Sequence, residues 1–216
     1  MTTEQAGEAQ PPPATSGPGP ALRYVRHELR IMASLVRWVC RRRHGVDGAD
    51  AFFAHGREQA IMMYGLMFAC VVETVALTFL LAPWPVIHAI MLVVDVYTIL
   101  FVLGLHAASI TRPHVLADGV LRIRQAAHVD VLVPLKQIAA IRHETVFTHE
   151  KKDGELNLPI GSQTTLTLVL TEPVNAPKFL GAPCLVKTIR LHADDSKALF
   201  ATVRQAWLQQ RKLDPL

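Results

Sequence analysis

The 216-residue sequence has few of the residue patterns that build metal centres, disulfide frameworks or catalytic sites. Its three cysteines, Cys40, Cys70 and Cys184, form no Cys-x-x-Cys pair, which agrees with a reducing cytoplasm and gives no support to structural zinc or disulfides. No His-Glu-x-x-His spacing occurs, and Gly161-Ser162-Gln163-Thr164 lacks the lysine of a phosphate-binding P-loop. The sequence therefore predicts no catalytic residue, no metal site and no cofactor.

Charged residues are nearly absent from two long apolar segments, 60–82 and 86–110, which only Pro83-Trp84-Pro85 separates. Each segment exceeds the ~20 residues that cross a ~30 Å hydrocarbon core as a helix. Each holds one carboxylate, Glu73 or Asp95. A central charge costs about 2.5–3.5 kcal/mol on the insertion scale, and the Leu, Ile, Phe and Val of the first segment alone return roughly 3–6 kcal/mol. The sequence therefore predicts a two-helix transmembrane hairpin over residues 60–110.

Arginines flank the two apolar segments but are absent from the connection between them. Lysine and arginine near the ends of spans stay on the cytoplasmic side, so we expect both termini of this multi-pass protein in the cytoplasm. Glu4 and Glu8 in a proline-rich beginning are not typical of a signal peptide. The flanking arginines are Arg37, Arg41, Arg42, Arg43 and Arg57 before the first segment and Arg112, Arg122 and Arg124 after the second.

The residues before the hairpin divide into a disordered Pro-rich tail (1–20), a basic amphipathic helix (21–43) and a linker (44–59). In the helix, apolar residues recur at steps of three and four and form a stripe of Leu22, Val25, Leu29, Met32, Val36 and Val39. The basic residues expected at the membrane surface are Arg23, Arg26, Arg30, Arg37, Arg41, Arg42 and Arg43. The stripe either lies in the headgroup boundary, with the arginines on lipid phosphates, or packs on the protein's own cytoplasmic domain.

From residue 111 to residue 216 the apolar pattern changes to the alternation of strands. Asp118-Gly119 predicts a hairpin turn, and Asp194-Asp195-Ser196 predicts the beginning of a final amphipathic helix. Strands are expected at 120–124, 129–133, 138–146, 164–170 and 185–192. These elements predict an α+β membrane protein whose cytoplasmic part is a small β-barrel or sandwich with a C-terminal capping helix.

Several of these segments resemble a known family. Arg112-Pro113-His114-Val115-Leu116, the Asp118-Gly119 hairpin, Val133-Pro134-Leu135-Lys136-Gln137-Ile138 and the terminal helix resemble bacterial pleckstrin-homology-like domains attached to short membrane anchors. The chain beyond its first twenty residues is similar to actinobacterial two-span integral membrane proteins of unassigned function. The resemblance implies a pleckstrin-homology-like fold at residues 111–216 and a place in the bacterial cell (inner) membrane. It transfers no catalytic residues.

Four ionisable residues of the hairpin form a predicted intramembrane polar cluster: Glu73, Asp95, His88 and His106. Glu73 and Asp95 each lie nine residues from the outer end of their segment, about 14 Å deep at 1.5 Å per residue. His88 and His106 share the helix face of Asp95 at about 100° per residue. The cluster either fastens the hairpin or self-associating copies, takes part in transport or sensing, or ligates metal or haem through its histidines.

The expected function is therefore that of a non-enzymatic integral membrane protein whose cytoplasmic domain binds a protein partner or anionic lipid headgroups. The alternative is a proton- or ion-coupled membrane component, for transport or sensing, that uses the intramembrane cluster. Residues 111–216 carry fourteen Lys and Arg against ten Asp and Glu, which suits an anionic bilayer surface. The expected partners are the bilayer and a protein partner or further copies of the chain. Nucleic acid is not expected, because no helix-turn-helix or zinc pattern occurs.

Overall fold

A computed structural model describes residues 20–41, 44–46, 48–126, 128–150, 152–176 and 184–213. Residues 1–19 of the predicted tail, together with Arg42 and Arg43, lie outside these ranges. The described residues form four α-helices and eight strands. The helices are α1 (Pro20–Val39), α2 (Arg57–Leu80), α3 (Pro85–Thr111) and α4 (Ser196–Leu213). The strands are β1 (Ala51–Phe53), β2 (His114–Ala117), β3 (Val120–Gln125), β4 (Val129–Pro134), β5 (Ile138–Val146), β6 (Glu155–Leu158), β7 (Thr164–Ala176) and β8 (Cys184–Leu191).

Helices α2 and α3 are long and apolar enough to cross a membrane. They measure about 36 Å and 40 Å at 1.5 Å per residue. No residue of α2 is buried, and the buried residues of α3 begin at Val102. Helices of a soluble core would bury their apolar side chains, so this exposure is consistent with a lipid surround. The proline at the beginning of α3, Pro85, suits the first helical turn, where its missing N–H is not needed.

The strands form two four-stranded sheets, ordered β1-β2-β3-β4 and β5-β7-β8-β6. Neighbouring strands are antiparallel except for β6 and β8, which are parallel. The predicted hairpin turn joins β2 to β3, with positive φ angles of 49° at Asp118 and 71° at Gly119, the conformation of a type I′ turn. Neither sheet closes into a barrel, so the barrel alternative is wrong. A barrel needs one continuous ladder, and here the ladder is interrupted between β4 and β5.

The two sheets and α4 share one apolar core. Its fully buried members include Leu121, Ile123, Leu166, Ile189 and Leu199, which alternate along the strands or repeat along the helix. At the beginning of α4 the Asp195 carboxylate accepts a hydrogen bond from the backbone N–H of Ala198 at 2.9 Å, so the predicted N-terminal cap is confirmed. At the other end, the indole N–H of Trp207 donates to the carbonyl of Ile138 at 2.9 Å. The helix therefore packs on the sheet through one face, which includes the buried Leu199 and Val203.

Strand β1 lies within the stretch 44–59 that the sequence assigns to a linker. It pairs with β2, so that Ala51 faces Leu116 and Phe53 faces His114. The segment β1 leads into α2, and α3 leads into β2. The apolar hairpin is therefore inserted in the sequence between two strands that pair in one sheet. Three residues are too few to show a period of two, which is why the sequence pattern misses this strand.

Helix α1 packs on α3 mainly through Ile31, which the predicted apolar stripe does not include. The side chain of Ile31 is fully buried, and a Cβ placed on Gly104 would lie 2.4 Å from its Cγ2 atom. Ala108 is buried in the same contact. Met32 of the predicted stripe is partly buried and packs against the same contact. The other stripe members are exposed: Leu22, Val25, Leu29, Val36 and Val39. Most of the stripe thus remains open to solvent or lipid.

Candidate functional site

A cleft of about 430 Å³ lies between α1 and the β3–β4 hairpin, at the base of α3. Five arginines and one carboxylate give it a large excess of positive charge. The lining residues are Arg26, Leu29, Arg30, Ala33 and Arg37 from α1, His44 from the following loop, Arg112 from the end of α3, and Arg122 and Asp130 from the sheet. We call this space the arginine cleft.

The floor of the arginine cleft is built by strand pairing. Arg124 on β3 faces Asp130 on β4, and Arg122 lies two residues earlier on the same side of β3. The Nε and Nη2 atoms of Arg122 donate to the two carboxylate oxygens of Asp130, both at 2.7 Å. Two further guanidiniums approach this carboxylate less closely, Arg112 at 3.5 Å and Arg124 at 3.8 Å. One carboxylate therefore serves three arginines.

Two of these three arginines are buried. Arg112 is 7% exposed and Arg124 is 0% exposed. Arg124 donates from Nη1 to the carbonyl of His44 at 2.8 Å, and Arg112 donates from Nη1 to the carbonyl of Ala126 at 3.3 Å. Within the described ranges, Nε of Arg112 and both Nε and Nη2 of Arg124 have no hydrogen-bond partner. A buried charge is costly unless it is paired and hydrogen-bonded, so the floor is only partly compensated.

The pKa shifts around the cleft result from burial and from the neighbouring charges. The pKa of His44 is lowered by burial and then by the nearby positive charges, first that of Arg37. The pKa of Arg112 is lowered by burial, and the charge of Asp130 opposes this only in part. Burial raises the pKa of Asp130, but the hydrogen bond from Arg122 and the surrounding arginine charges outweigh it, so the net shift is downward. The site thus disfavours further positive charge and stabilises an anion.

The other wall of the cleft is one face of α1. Arg26, Arg30 and Arg37 are four and seven residues apart, so at about 100° per residue they lie on the same side of the helix. The contact of Ile31 with Gly104 holds this side opposite the sheet. Among the predicted membrane-surface residues, these three line the cleft and Arg41 is exposed. The predicted set also includes Arg23, whose side chain is not described, and Arg42 and Arg43, which lie outside the described residues.

The floor residues are functional candidates that the sequence pattern does not reveal as a site. From the sequence alone, Arg122 and Arg124 are recognisable only as charges that follow the second apolar segment, and Asp130 only as a residue of a predicted strand. The available signal was the polar alternation of Arg122-Ile123-Arg124 together with an acidic residue at a pairing distance across a short turn. Such a signal becomes specific only when the register of β3 and β4 is known.

The intramembrane cluster is only partly assembled. Glu73 is exposed and Asp95 is half-buried, and no hydrogen bond or ion pair between described residues joins them. The Nε2 atom of His88 is buried without a hydrogen-bond partner in the described part of the chain. His106 is buried beside α2, with Nε2 3.2 Å from the Tyr64 hydroxyl. A common role for the four residues stays a prediction.

Three buried histidines lie where sheet and hairpin meet. The rings of His55 and His114 stack with centroids 4.6 Å apart. Nε2 of His114 lies 3.0 Å from the carbonyl of His192, and its Nδ1 accepts the backbone N–H of Arg124 at 3.2 Å. Both contacts require the neutral Nε2–H form, and burial lowers the pKa of His114 to about 4. Across the described ranges, no three His, Cys, Asp or Glu side chains are arranged to hold a metal ion.

Comparison with protein-family models, with curated proteins and with solved structures gives no match for this chain.

Proposed function

We propose that this chain is a non-enzymatic integral membrane protein that binds anionic lipid headgroups in the arginine cleft. The observation that carries the proposal is the shared carboxylate of Asp130, which takes two hydrogen bonds from Arg122 and leaves the buried Nε of Arg112 without a hydrogen-bond partner among the described residues. Arginine forks match phosphate oxygens in charge and geometry, and an oxyanion in the cleft supplies the missing negative charge. A protein partner with an acidic surface is the other expected occupant, and the test below separates it from lipid.

The position of the cleft relative to the candidate spans supports a lipid ligand. Arg112 directly follows α3, which ends at Thr111, so the cleft lies at the depth of headgroups when α3 crosses a bilayer. Helix α1 forms one wall and exposes the apolar stripe Leu22, Val25, Leu29, Val36 and Val39. A helix with arginines on one face and an exposed apolar stripe on another suits the boundary between headgroups and acyl chains.

The proposal includes a location and a fold assignment. We place α2 and α3 in the bacterial cell membrane, with both termini in the cytoplasm, because arginines border the hairpin at its two inner ends and not at Pro83-Trp84-Pro85. We assign the β-rich region to a pleckstrin-homology-like domain of the kind found in actinobacterial two-span membrane proteins. Two antiparallel-rich sheets and the C-terminal helix α4 packed on β5 support this assignment.

A direct test compares lipid binding by cleft and control variants. The full-length protein, purified in neutral detergent, is placed in nanodiscs of phosphatidylcholine with or without 20% phosphatidylglycerol, and bound lipid is counted by native mass spectrometry. Arg26→Gln with Arg30→Gln removes two exposed cleft charges, and Arg142→Gln with Arg204→Gln removes two exposed charges elsewhere.

The proposal predicts retained phosphatidylglycerol in the wild type and the control, and about tenfold less in the cleft variant, since one charge-assisted hydrogen bond contributes about 1.5–3 kcal/mol. Equal loss in both double variants, or no enrichment of anionic lipid, contradicts the proposal. Binding of an acidic protein that phosphatidylglycerol does not displace favours the partner alternative.

The proton- or ion-coupled alternative depends on Glu73, Asp95, His88 and His106. The observation in its favour is the buried Nε2 of His88, which has no hydrogen-bond partner in the part of the chain that the structure describes. Two helices do not enclose an aqueous path, so this function requires further copies of the chain or another subunit. It predicts that Glu73→Gln with Asp95→Asn abolishes a pH-dependent ion flux in proteoliposomes while membrane insertion and oligomeric state stay unchanged. If the double variant alters assembly alone, the two carboxyls fasten helices.

A further inference from the structure

We infer that the arginine cleft selects a lipid whose phosphate is a monoester, and thus a dianion, over one whose phosphate is a diester monoanion. The inference rests on the proposed function, because it names the class of headgroup for the same site. It follows from the number of charges on the cleft floor, from the geometry of the donors and from the effect of the arginines on phosphate ionisation.

The cleft floor has an excess of positive charge that two negative charges would offset. Arg122 takes both oxygens of Asp130 at 2.7 Å, and this pair is close to neutral. Arg112 and Arg124 approach the same carboxylate only at 3.5 Å and 3.8 Å, and each retains guanidinium nitrogens without a hydrogen-bond partner among the described residues. Among the described residues these two buried positive charges lack a full counter-charge. Arg112 lines the cleft and Arg124 lies buried behind the lining, so a dianion in the cleft offsets both charges whereas a monoanion offsets one.

The donors surround the cleft on more than one side. Arg112, which is 7% exposed, lies at the base of α3, and Arg26, Arg30 and Arg37 extend from α1 on the opposite wall. A phosphate monoester presents three terminal oxygens to such a set, and a diester presents two. Because guanidinium forks prefer paired oxygens, the third oxygen lets floor and wall bind at once. The cleft volume of about 430 Å³ is within the range of pockets that take small ligands.

The arginines also act on the charge of the ligand itself. The second pKa of a phosphate monoester is about 6, so near neutral pH the group is divided between its two charge states. Neighbouring positive charges favour the more negative form, as they do for Asp130, whose pKa is held below its usual value by Arg122 and the adjacent arginines. The cleft therefore shifts a bound monoester to the dianion, an adjustment that a diester cannot make.

Two sources could supply this chemistry, a lipid or a soluble phosphate ester. We commit to the lipid, because Arg112 directly follows the apolar helix α3 and the wall helix α1 exposes an apolar stripe that includes Leu29 of the cleft lining. A membrane-bound ligand also has a high local concentration at this position.

The test measures lipid preference at matched surface charge. Full-length protein is placed in phosphatidylcholine nanodiscs with 5% phosphatidic acid, a monoester, or with 10% phosphatidylglycerol, a diester, at pH 7.5, and the lipids retained after detergent extraction are counted. Soluble glycerol 3-phosphate is added as a competitor in a separate series. Arg30→Gln on the exposed wall is compared with Arg142→Gln on β5.

The inference predicts about tenfold higher occupancy by phosphatidic acid, a preference that weakens as the pH falls from 7.5 to 5.5, and a loss of about tenfold in Arg30→Gln but not in Arg142→Gln. Equal binding of the two anionic lipids overturns the monoester inference and leaves headgroup binding intact. If the wild type shows no preference for either anionic lipid over phosphatidylcholine, both the monoester inference and the proposed headgroup binding are overturned. Full competition by millimolar glycerol 3-phosphate overturns the lipid source.

Discussion

Phe53 and His114 face each other across β1 and β2, although 60 residues and the whole apolar hairpin separate them in sequence. Strand β1 lies just before α2, and β2 lies just after α3. Their backbone pairing therefore joins the two ends of the hairpin. Any movement of one helix at its base also moves the strand that anchors the other.

This pairing predicts that β1 contributes to the stability of the β-rich region. Phe53 is 9% exposed and belongs to the main core. The test joins residues 48–54 by a short Gly-Ser linker to residues 113–213 and compares this chain with residues 113–213 alone. The free energy of unfolding in urea should be about 2 kcal/mol higher for the linked chain, because burying a Phe side chain contributes about 1.5–3 kcal/mol. Equal midpoints and slopes for the two chains would show that β1 is dispensable.

The contact of Ile31 with Gly104 predicts a steric test of the α1 position. Gly104→Val places its Cβ 2.4 Å from Ile31 Cγ2 and should displace α1. The control is Gly65→Val on α2, where an added Cβ meets nothing within 4 Å apart from its chain neighbours and its own helix backbone. Limited trypsin digestion at Arg26 and Arg30 should be at least several-fold faster in Gly104→Val than in Gly65→Val or the wild type. Identical digestion rates would mean that α1 is held by other contacts.

The carboxylate of Asp130 predicts an anion-dependent stability. Asp130→Asn leaves three arginines without their counter-charge and should lower the free energy of unfolding by about 2 kcal/mol, toward the low end for a buried pair because Asp130 is 28% exposed. Inorganic phosphate should restore part of the lost thermal stability by occupying the cleft. The matched control is Asp153→Asn in an exposed loop, which should change neither value. A midpoint that does not respond to phosphate would argue against anion binding.

The buried histidines predict a loss of stability on mild acidification. The pKa of His114 is about 4, below the ordinary 6.5, and burial places that of His55 well below it too. Between the ordinary pKa of 6.5 and the folded pKa of about 4, the unfolded chain binds more protons than the folded chain, so the free energy of unfolding falls as the pH falls. For His114 alone the loss at pH 5 is about 2 kcal/mol relative to pH 7.5. Arg124, whose charge lowers the pKa of His114, and Glu58, 3.6 Å from His192, are the charged neighbours.

The measurement is thermal unfolding of the full-length protein in non-ionic detergent from pH 7.5 to pH 5. His55→Phe keeps an aromatic ring on His114 and removes one titrating group, so its midpoint should fall less than that of the wild type over the same range. His149→Phe, in a part-buried contact with Thr164, serves as the comparison and should follow the wild type. Parallel curves for wild type and His55→Phe would contradict this role of His55.

Much of the fold could be predicted from local sequence patterns. Long apolar runs predict α2 and α3 because lipid-facing helices need no partner to be recognised. Alternation predicts β5 with the bounds that the structure has, 138–146, and the cap at Asp195 predicts α4. These signals depend on residues that are close together in the sequence, so the sequence alone is enough to reveal them.

The arginine cleft could not be predicted in the same way. Its floor depends on the register of β3 and β4, and its wall depends on α1 packing through Ile31, a residue outside the dominant apolar stripe. The periodicity of α1 indicates that it has an apolar face but not which face is against protein. Contacts between residues far apart in sequence decide that question, and a glycine at position 104 leaves no hydrophobic signal.

The buried base of α3 has a consequence for the surrounding lipid in the proposed membrane location. The helix is about 40 Å long, and from Val102 onward its side chains are largely enclosed by protein. A helix in this situation cannot absorb a change in bilayer thickness by tilting freely at its inner end. The lipid around it must thin or thicken instead, at a fraction of a kcal/mol per Å of mismatch. In the proposed membrane location the protein therefore imposes a local thickness on the bilayer, and copies of it should gather where the bilayer already has that thickness.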